Sequence, residues 1–381
     1  MYENWALDLK NSFDAGIVTG SRLKIIVTGS HSMDLSKAAS LLKGRQGELA
    51  QEFNVGGNLL FTPLRFPEVV EGVRREIDEL LASSRFRRPG HRFELLKELS
   101  MGVVGDELVR IYDEYFSMLN QLFENYLIHG GFPRAVKEFY TSGRVSSQLY
   151  ADYAEILIKD SERACLDPEI LKQTLTNIVD PRKHKISGRL DLESIKPSKV
   201  KDEELRRYLE YLTSTWSFFL SYPEKKDLSC TPNMDAQPKL YVLDPFIYYA
   251  LYSYLNNVPD PFEEAKKLAS NEMFKGLLVE SIVASHILLA QQLFEHVPHV
   301  EYNKVLMYGL RESSEIDFVL CINKAGETNR FLIELKYRRQ VPRISTAMQQ
   351  RYLIVPTQKE LEVDVSRRVV YIPTSIFLML F

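Results

Sequence analysis

Asp317, Glu334 and Lys336 are the residues of this chain whose types and spacing suit chemistry on a phosphate ester. They lie in two β-rich runs, ESSEIDFVLCI and NRFLIELKY, separated by the turn Asn323–Asn329. A hairpin turning near residues 325–326 sets Asp317 opposite Glu334. Strict alternation then groups Glu315, Asp317, Val319 and Cys321 on one side, with Ile316, Phe318, Leu320 and Ile322 on the other. Both acids fall on the same face of the hairpin, with Lys336 two residues beyond Glu334.

Two carboxylates opposite each other on neighbouring strands repel, so something must offset them: solvent, the Lys336 ammonium or a divalent cation. Carboxylate oxygens suit Mg²⁺ or Mn²⁺. Such an ion at Asp317 and Glu334 would activate water and offset charge on a phosphodiester, with Lys336 orienting the nucleophile or neutralising the phosphate. Glu280, in the helical run NEMFKGLLVESIVASHILLAQQLF, is a third candidate ligand at the edge of an apolar face. The plain alternative for Glu-x-Lys on a strand is a surface salt bridge.

The elements that must position these groups are legible in the hydrophobic pattern. The chain has 381 residues, 45% of them hydrophobic and 26% charged, with a formal net charge of -3. Two or three folded domains are expected, and nucleic-acid binding could come only from local patches. The N-terminus is not a secretory signal, and no run of about 18 apolar residues proposes a membrane span. Cys165, Cys230 and Cys321 lie far apart and propose neither a ligand set nor a disulfide framework, which fits a reducing cytosol.

Trp5, Leu7, Leu9 and Phe13 mark a short helix ending near Gly16. A buried strand over Leu23–Thr28, a turn at Gly29-Ser30 and a helix to Gly44 follow as an α/β unit. Residues 67–175 read as mostly helical. Within them the basic loop SSRFRRPGHRF is either a solvated connection or a phosphate-contacting patch. Around 176–237, a turn at Pro197-Ser198 and a helix through Leu205, Tyr208, Leu209 and Leu212 precede an aromatic β-rich stretch. That order is compatible with a winged helix, a module that binds DNA or simply packs. A boundary near 237 then opens the last segment with the strand Lys239–Leu243, and SIFLMLF reads as a buried final element.

This order of motifs resembles the PD-(D/E)XK nuclease superfamily. More closely, nearly the whole chain resembles AAA-type ATPases of archaea and bacteria that carry a fused C-terminal domain of that nuclease-like fold. The resemblance rests on LKIIVTGSHSMDLSK, LKGR, TPLRFPEVV, NYLIHGGFPRAV, KLYVLDPFI, ESSEIDFVL and FLIELKY, in that order. It implies a multidomain α/β fold: a remnant of the ATPase core over 1–66, a helical lid over 67–175, a winged-helix-like region over 176–237 and a restriction-endonuclease-like domain over 238–381. It places Asp317, Glu334, Lys336 and Glu280 in the catalytic centre. It also puts Thr28 and Ser30 near the γ-phosphate of ATP, and Arg45 as a finger reaching a neighbouring subunit's nucleotide. Strand-end capping for Thr28 and Ser30, and a helix C-terminal cation for Arg45, are the plainer readings. No G-x-x-x-x-G-K-(S/T) run and no acidic strand end ahead of Trp5 occurs, so ATP hydrolysis is expected only of a longer form. DNA is the expected partner, and the cytoplasm the expected location.

Overall fold

The computed structural model describes residues 5–17, 62–74, 77, 85–183, 185–295, 306–310, 315–324, 326–338 and 351–381. Among the described residues there are thirteen α-helices and an eight-stranded mixed sheet, so the α/β expectation holds. The first helix, α1 (Trp5–Asp14), ends ahead of Gly16, as the pattern predicts. The helical layer follows: α2 (Phe66–Val73), α3 (Pro89–Ser100), α4 (Asp106–His129), α5 (Pro133–Ser142), α6 (Ser147–Asp160) and α7 (Pro168–Ile178). Next come α8 (Leu192–Ile195), α9 (Asp202–Ser214), β1 (Phe218–Pro223), β2 (Lys239–Val242), α10 (Pro245–Leu255), α11 (Pro261–Ser270) and α12 (Glu272–Glu295). The chain closes with β3 (Leu306–Leu310), β4 (Glu315–Lys324), β5 (Glu327–Ile333), β6 (Leu353–Thr357), β7 (Glu362–Asp364), β8 (Val369–Pro373) and α13 (Thr374–Leu378). Among the described residues, no helix is long and apolar enough to cross a membrane.

Local chemistry explains where several helices start. Asp167, Asp244 and Asp260 each stand before a proline, and each side chain accepts a backbone N–H of the first turn of α7, α10 or α11. The carboxylate satisfies an orphan donor, while proline at the first helical position needs no hydrogen-bond partner. Buried tyrosines satisfy the opposite ends. Tyr211, Tyr249 and Tyr248 donate to the carbonyls of Leu157, Leu127 and Val179 in or just after the last turns of α6, α4 and α7.

The strands run in the order β2-β1-β3-β4-β5-β6-β8-β7. The boundary expected near 237 therefore falls inside one sheet, because β1 pairs antiparallel with β2 and parallel with β3. Helix α12 lies against β2 and β4 and is apolar on nearly every side: Phe274, Leu278, Val279, Ile282, Val283 and Ile287 are all buried. One apolar cluster joins the helical layer, α12 and the near face of the sheet, from Phe66 to Phe381. A smaller cluster, including Val319, Cys321 and Leu332, lies on the far face.

The helical layer joins the sheet at Asp244. Its carboxylate, almost fully buried, accepts from Phe246 N–H at 2.8 Å and from Gly131 N–H at 2.7 Å. Burial pushes that carboxyl up to about 7, against the pull of the two N–H groups. Gly130 and Gly131 are required by space. A Cβ on Gly130, whose φ is +67°, would stand 2.1 Å from Asp244 Oδ1. One on Gly131 would stand 1.9 Å from the carbonyl oxygen of Leu64, a backbone atom that cannot move aside. Nearby, His286 on α12 accepts the N–H of Phe66 at Nε2 (2.8 Å) and holds the Ile282 carbonyl at Nδ1 (2.8 Å). Its imidazole is neutral in that arrangement, and burial lowers its pKa to about 4.

The cysteine reading needs correction. Cys230, in the loop after β1, and Cys321, on β4, form a disulfide with Cα atoms 6.0 Å apart, while Cys165 is free and exposed. Ninety-one residues separate the two partners, and the fold of the sheet supplies a proximity that spacing cannot reveal.

Two outcomes are expected. Gly131→Ala should cost about 3 kcal/mol of stability in a urea titration, through the clash and the distorted bond to Asp244. Thiol titration of the denatured, unreduced protein should find one reactive cysteine per chain, Cys165; finding all three cysteines reactive would refute the disulfide.

Candidate functional site

The hairpin has the register expected from its turn. Phe318 pairs with Ile333, Val319 with Leu332 and Lys324 with Glu327, so the connection is a tight turn through Gly326, whose φ is +82°. Beyond Ile333 the second strand leaves β4 and continues toward β6: Glu334 and Lys336 donate their N–H groups to Ile354 and Pro356. Asp317 and Glu334 face each other across the opening. Asp317 N–H donates to Glu334 Oε2 at 3.2 Å, and Leu335 N–H donates to Asp317 Oδ2 at 2.9 Å. The Lys336 ammonium closes on Glu334 Oε1. Asp317, Glu334 and Lys336 are thus brought together.

The faces differ from strict alternation. Met307 on β3 pairs with Val319 and Gly309 with Ile316, so two steps on β3 match three on β4. This bulge turns Ile316 to the far face with Val319 and Cys321, whereas Phe318 packs in the main core. Glu315 and Asp317 consequently do not share a side with Val319 and Cys321. Both carboxylates instead reach a cation supplied by β2.

That cation is Lys239, which sequence reasoning missed. Its side chain is only 5% exposed. The ammonium lies 2.7 Å from Glu315, 3.1 Å from Glu280 on α12 and 3.6 Å from Asp317. Tyr241, two residues along β2, donates its hydroxyl to the same Glu280 oxygen at 3.1 Å. On the outer side Arg189 holds Glu315 at 2.6 Å. A weak signal was present: a lysine opening an otherwise apolar strand, in phase with a tyrosine, is at odds with a strand buried on both faces.

Each charge feels the others. Burial, then the Asp317 charge, pushes Glu280 up to about 7, opposed by Lys239 and Tyr241. Burial and Asp317 likewise raise Glu334, opposed by Lys336. Burial alone would drive Lys239 toward the neutral amine. Tyr241, Glu280, Asp317 and Glu315 outweigh that and hold it protonated, with its pKa raised. Glu315 is pushed up by burial, but Lys239 and Arg189 hold it below the usual carboxylate range.

The remaining candidates fall elsewhere. Thr28, Ser30 and Arg45 lie outside the described residues. The segment expected as a basic loop is a short 3-10 turn at Arg85–Arg87 that runs into α3 from Pro89. Arg85 pairs with Glu98 at 2.8 Å, and Arg92, in α3, is buried, bonding the carbonyls of Phe86 and Phe381 and pairing with Glu71 at 3.5 Å. These two arginines tie helices together. Among the described residues, the acid and cysteine ligand atoms that all lie within 4.8 Å belong to Glu224, Cys230 and Cys321. Glu224 is itself committed to Arg330 at 2.6 Å, and both sulfurs belong to the disulfide.

A domain of unknown function, DUF8612, matches residues 120–258 of this chain. No curated protein and no solved structure matches it. The matched stretch includes Gly131, Lys239 and Asp244, whereas Glu280, Asp317 and Glu334 lie beyond it.

Removing Lys239 should be far more damaging than removing Lys336. Lys239→Met leaves buried carboxylates uncompensated and should cost about 3–5 kcal/mol in chemical denaturation. Lys336→Met, at a partly exposed pair, should cost about 1 kcal/mol. Equal losses would show that Lys239 does not hold the cluster together.

Proposed function

We propose that the C-terminal segment is a nuclease-like domain of the PD-(D/E)XK kind, acting on phosphodiesters with a divalent cation held by Asp317 and Glu334. The observation that carries this reading is the reciprocal bonding of Asp317 and the Glu334-Leu335 segment, which fixes two acids side by side with Lys336 at the opening of two strands. The donor set fits the ion: carboxylate oxygens are the hard ligands Mg²⁺ and Mn²⁺ take, and Asp317 Oδ1 has Lys239 no nearer than 3.6 Å. When bound, the cation would supply a Lewis acid against charge building up on the scissile phosphate. Lys336, with 25% of its side chain exposed, can turn from Glu334 toward that phosphate. Glu280 supports the site from behind, through Lys239. The wider reading, an AAA-type ATPase family with this domain at its C-terminal end, rests on the sequence resemblance. Its nucleotide contacts at Thr28, Ser30 and Arg45 carry no step in phosphodiester cleavage.

A second reading is favoured by Lys239. A cation already shared among Glu280, Glu315 and Asp317 is what a non-catalytic scaffold would have, and the domain would then hold DNA or a protein without cutting. Nicking of supercoiled plasmid separates the two. The first reading expects cleavage that needs Mg²⁺ or Mn²⁺ and is lost in Asp317→Ala. Cleavage unchanged by Asp317→Ala would sink it. Salt-sensitive DNA retention that survives Asp317→Ala, without cleavage by either protein, would establish the second.

A further inference from the structure

The acidic cluster contains two lysines with different freedom. Lys239 sits at the meeting point of carboxylates from β4 and α12, on a strand that cannot withdraw. Its backbone pairs with Ser221 of β1. The two residues before it are pinned as well: Pro238 accepts the N–H of Leu190 at 2.7 Å, and Gln237 accepts the Tyr308 hydroxyl at 2.6 Å. The Tyr308 ring lies 5.6 Å from the ammonium. Lys336 differs, because it lies beyond the end of β5 and is five times as exposed as Lys239, 25% against 5%.

We propose that Lys239 is a tethered counter-ion that closes the Glu280 half of the cluster to metal, leaving Asp317 and Glu334 as the pair open to a divalent cation. The proposal rests on the metal-dependent reading above and narrows it. A divalent ion binds where carboxylate oxygens from separate elements converge, and Lys239 already fills that role for Glu280, Glu315 and Asp317. An ion bridging Glu280 to Asp317 would have to share their oxygens with an ammonium whose side chain is only 5% exposed. At Glu334 the competing ammonium is that of Lys336, which can leave. Four carboxylates (Glu280, Glu315, Asp317 and Glu334) face three cations (Arg189, Lys239 and Lys336), so exchanging Lys336 for a divalent ion needs no rearrangement of the buried half.

Mn²⁺ titration of the full chain, read by the electron paramagnetic resonance of the free ion, tests this without relying on cleavage. The expected result is one Mn²⁺ per native chain, lost in Asp317→Asn but still bound, one per chain, in Glu280→Gln. The Glu280 carboxylate acts on the site only through Lys239, so its loss can weaken affinity without removing the ion. Lys239→Met should gain a second ion, and Lys239→Met combined with Glu280→Gln should lose it again. Loss of the bound ion in Glu280→Gln, or Lys239→Met leaving the number of bound ions unchanged, would overturn the proposal. Mn²⁺ bound by Lys239→Met but not by the native chain would uphold the counter-ion and remove the metal-dependent function. No Mn²⁺ on either protein would overturn both. If circular dichroism shows Lys239→Met unfolded, the Glu280→Gln arm decides alone.

Discussion

Asp244 is nearly shut off from solvent, yet it accepts N–H groups from two places that the chain holds far apart: Gly131, where the long helix α4 has just ended, and Phe246, where α10 begins. Burying a carboxylate is costly unless donors surround it, and the Gly131 N–H supplies one of those donors from the helical layer, so helical layer and sheet cannot part without breaking that bond. The geometry is tight enough that neither Gly130 nor Gly131 has room for a methyl group. Asp244 also closes the short strand β2, which begins at Lys239. The junction that unites the two layers is therefore the anchor that fixes the cation of the candidate site.

The electrostatic consequence follows from burial. At about 4 Å and an effective dielectric of about 20, a pair of unit charges interacts by about 4 kcal/mol, so an uncompensated acid beside Glu280 and Asp317 would be hard to tolerate. Lys239 compensates the acids from inside the fold and Arg189 does so from its rim, and the two cations meet at Glu315. Asp317 and Glu334 add a second remedy, each accepting a backbone N–H beside the other acid. Charge-assisted bonds of this kind are short-range and directional, and they need the two strands held at a fixed separation.

What the sequence revealed was whatever depends on near neighbours. The hairpin register followed from the turn, because a tight connection leaves only one pairing in which both apolar sets are buried. The helix through Leu205, Tyr208, Leu209 and Leu212 also appeared as its spacing required. The rest depended on distant partners. The bulge opposite Met307 and Gly309 is set by β3, and it overrode the alternation that β4 shows by itself. Lys239 acquires its role only once β2 is laid beside β1 and under α12, and Cys230 meets Cys321 only because the sheet brings the loop after β1 to β4.

The same long-range assembly explains how Asp317 can stand opposite Glu334 at all. In an isolated hairpin, that pair would disfavour the register that the apolar residues demand. Here β5 stops at Ile333, and the Glu334 backbone turns to β6, so the strands open where the acids meet. The bulge carries Asp317 toward Lys239 rather than toward the far-face cluster of Val319 and Cys321. Repulsion between the acids is thus relieved on two sides: by a fixed cation behind Asp317 and by a more exposed one in front of Glu334. A site whose outer cation can leave while its inner one cannot keeps its acids together when a ligand arrives, which is the preorganisation that charge-stabilising chemistry requires.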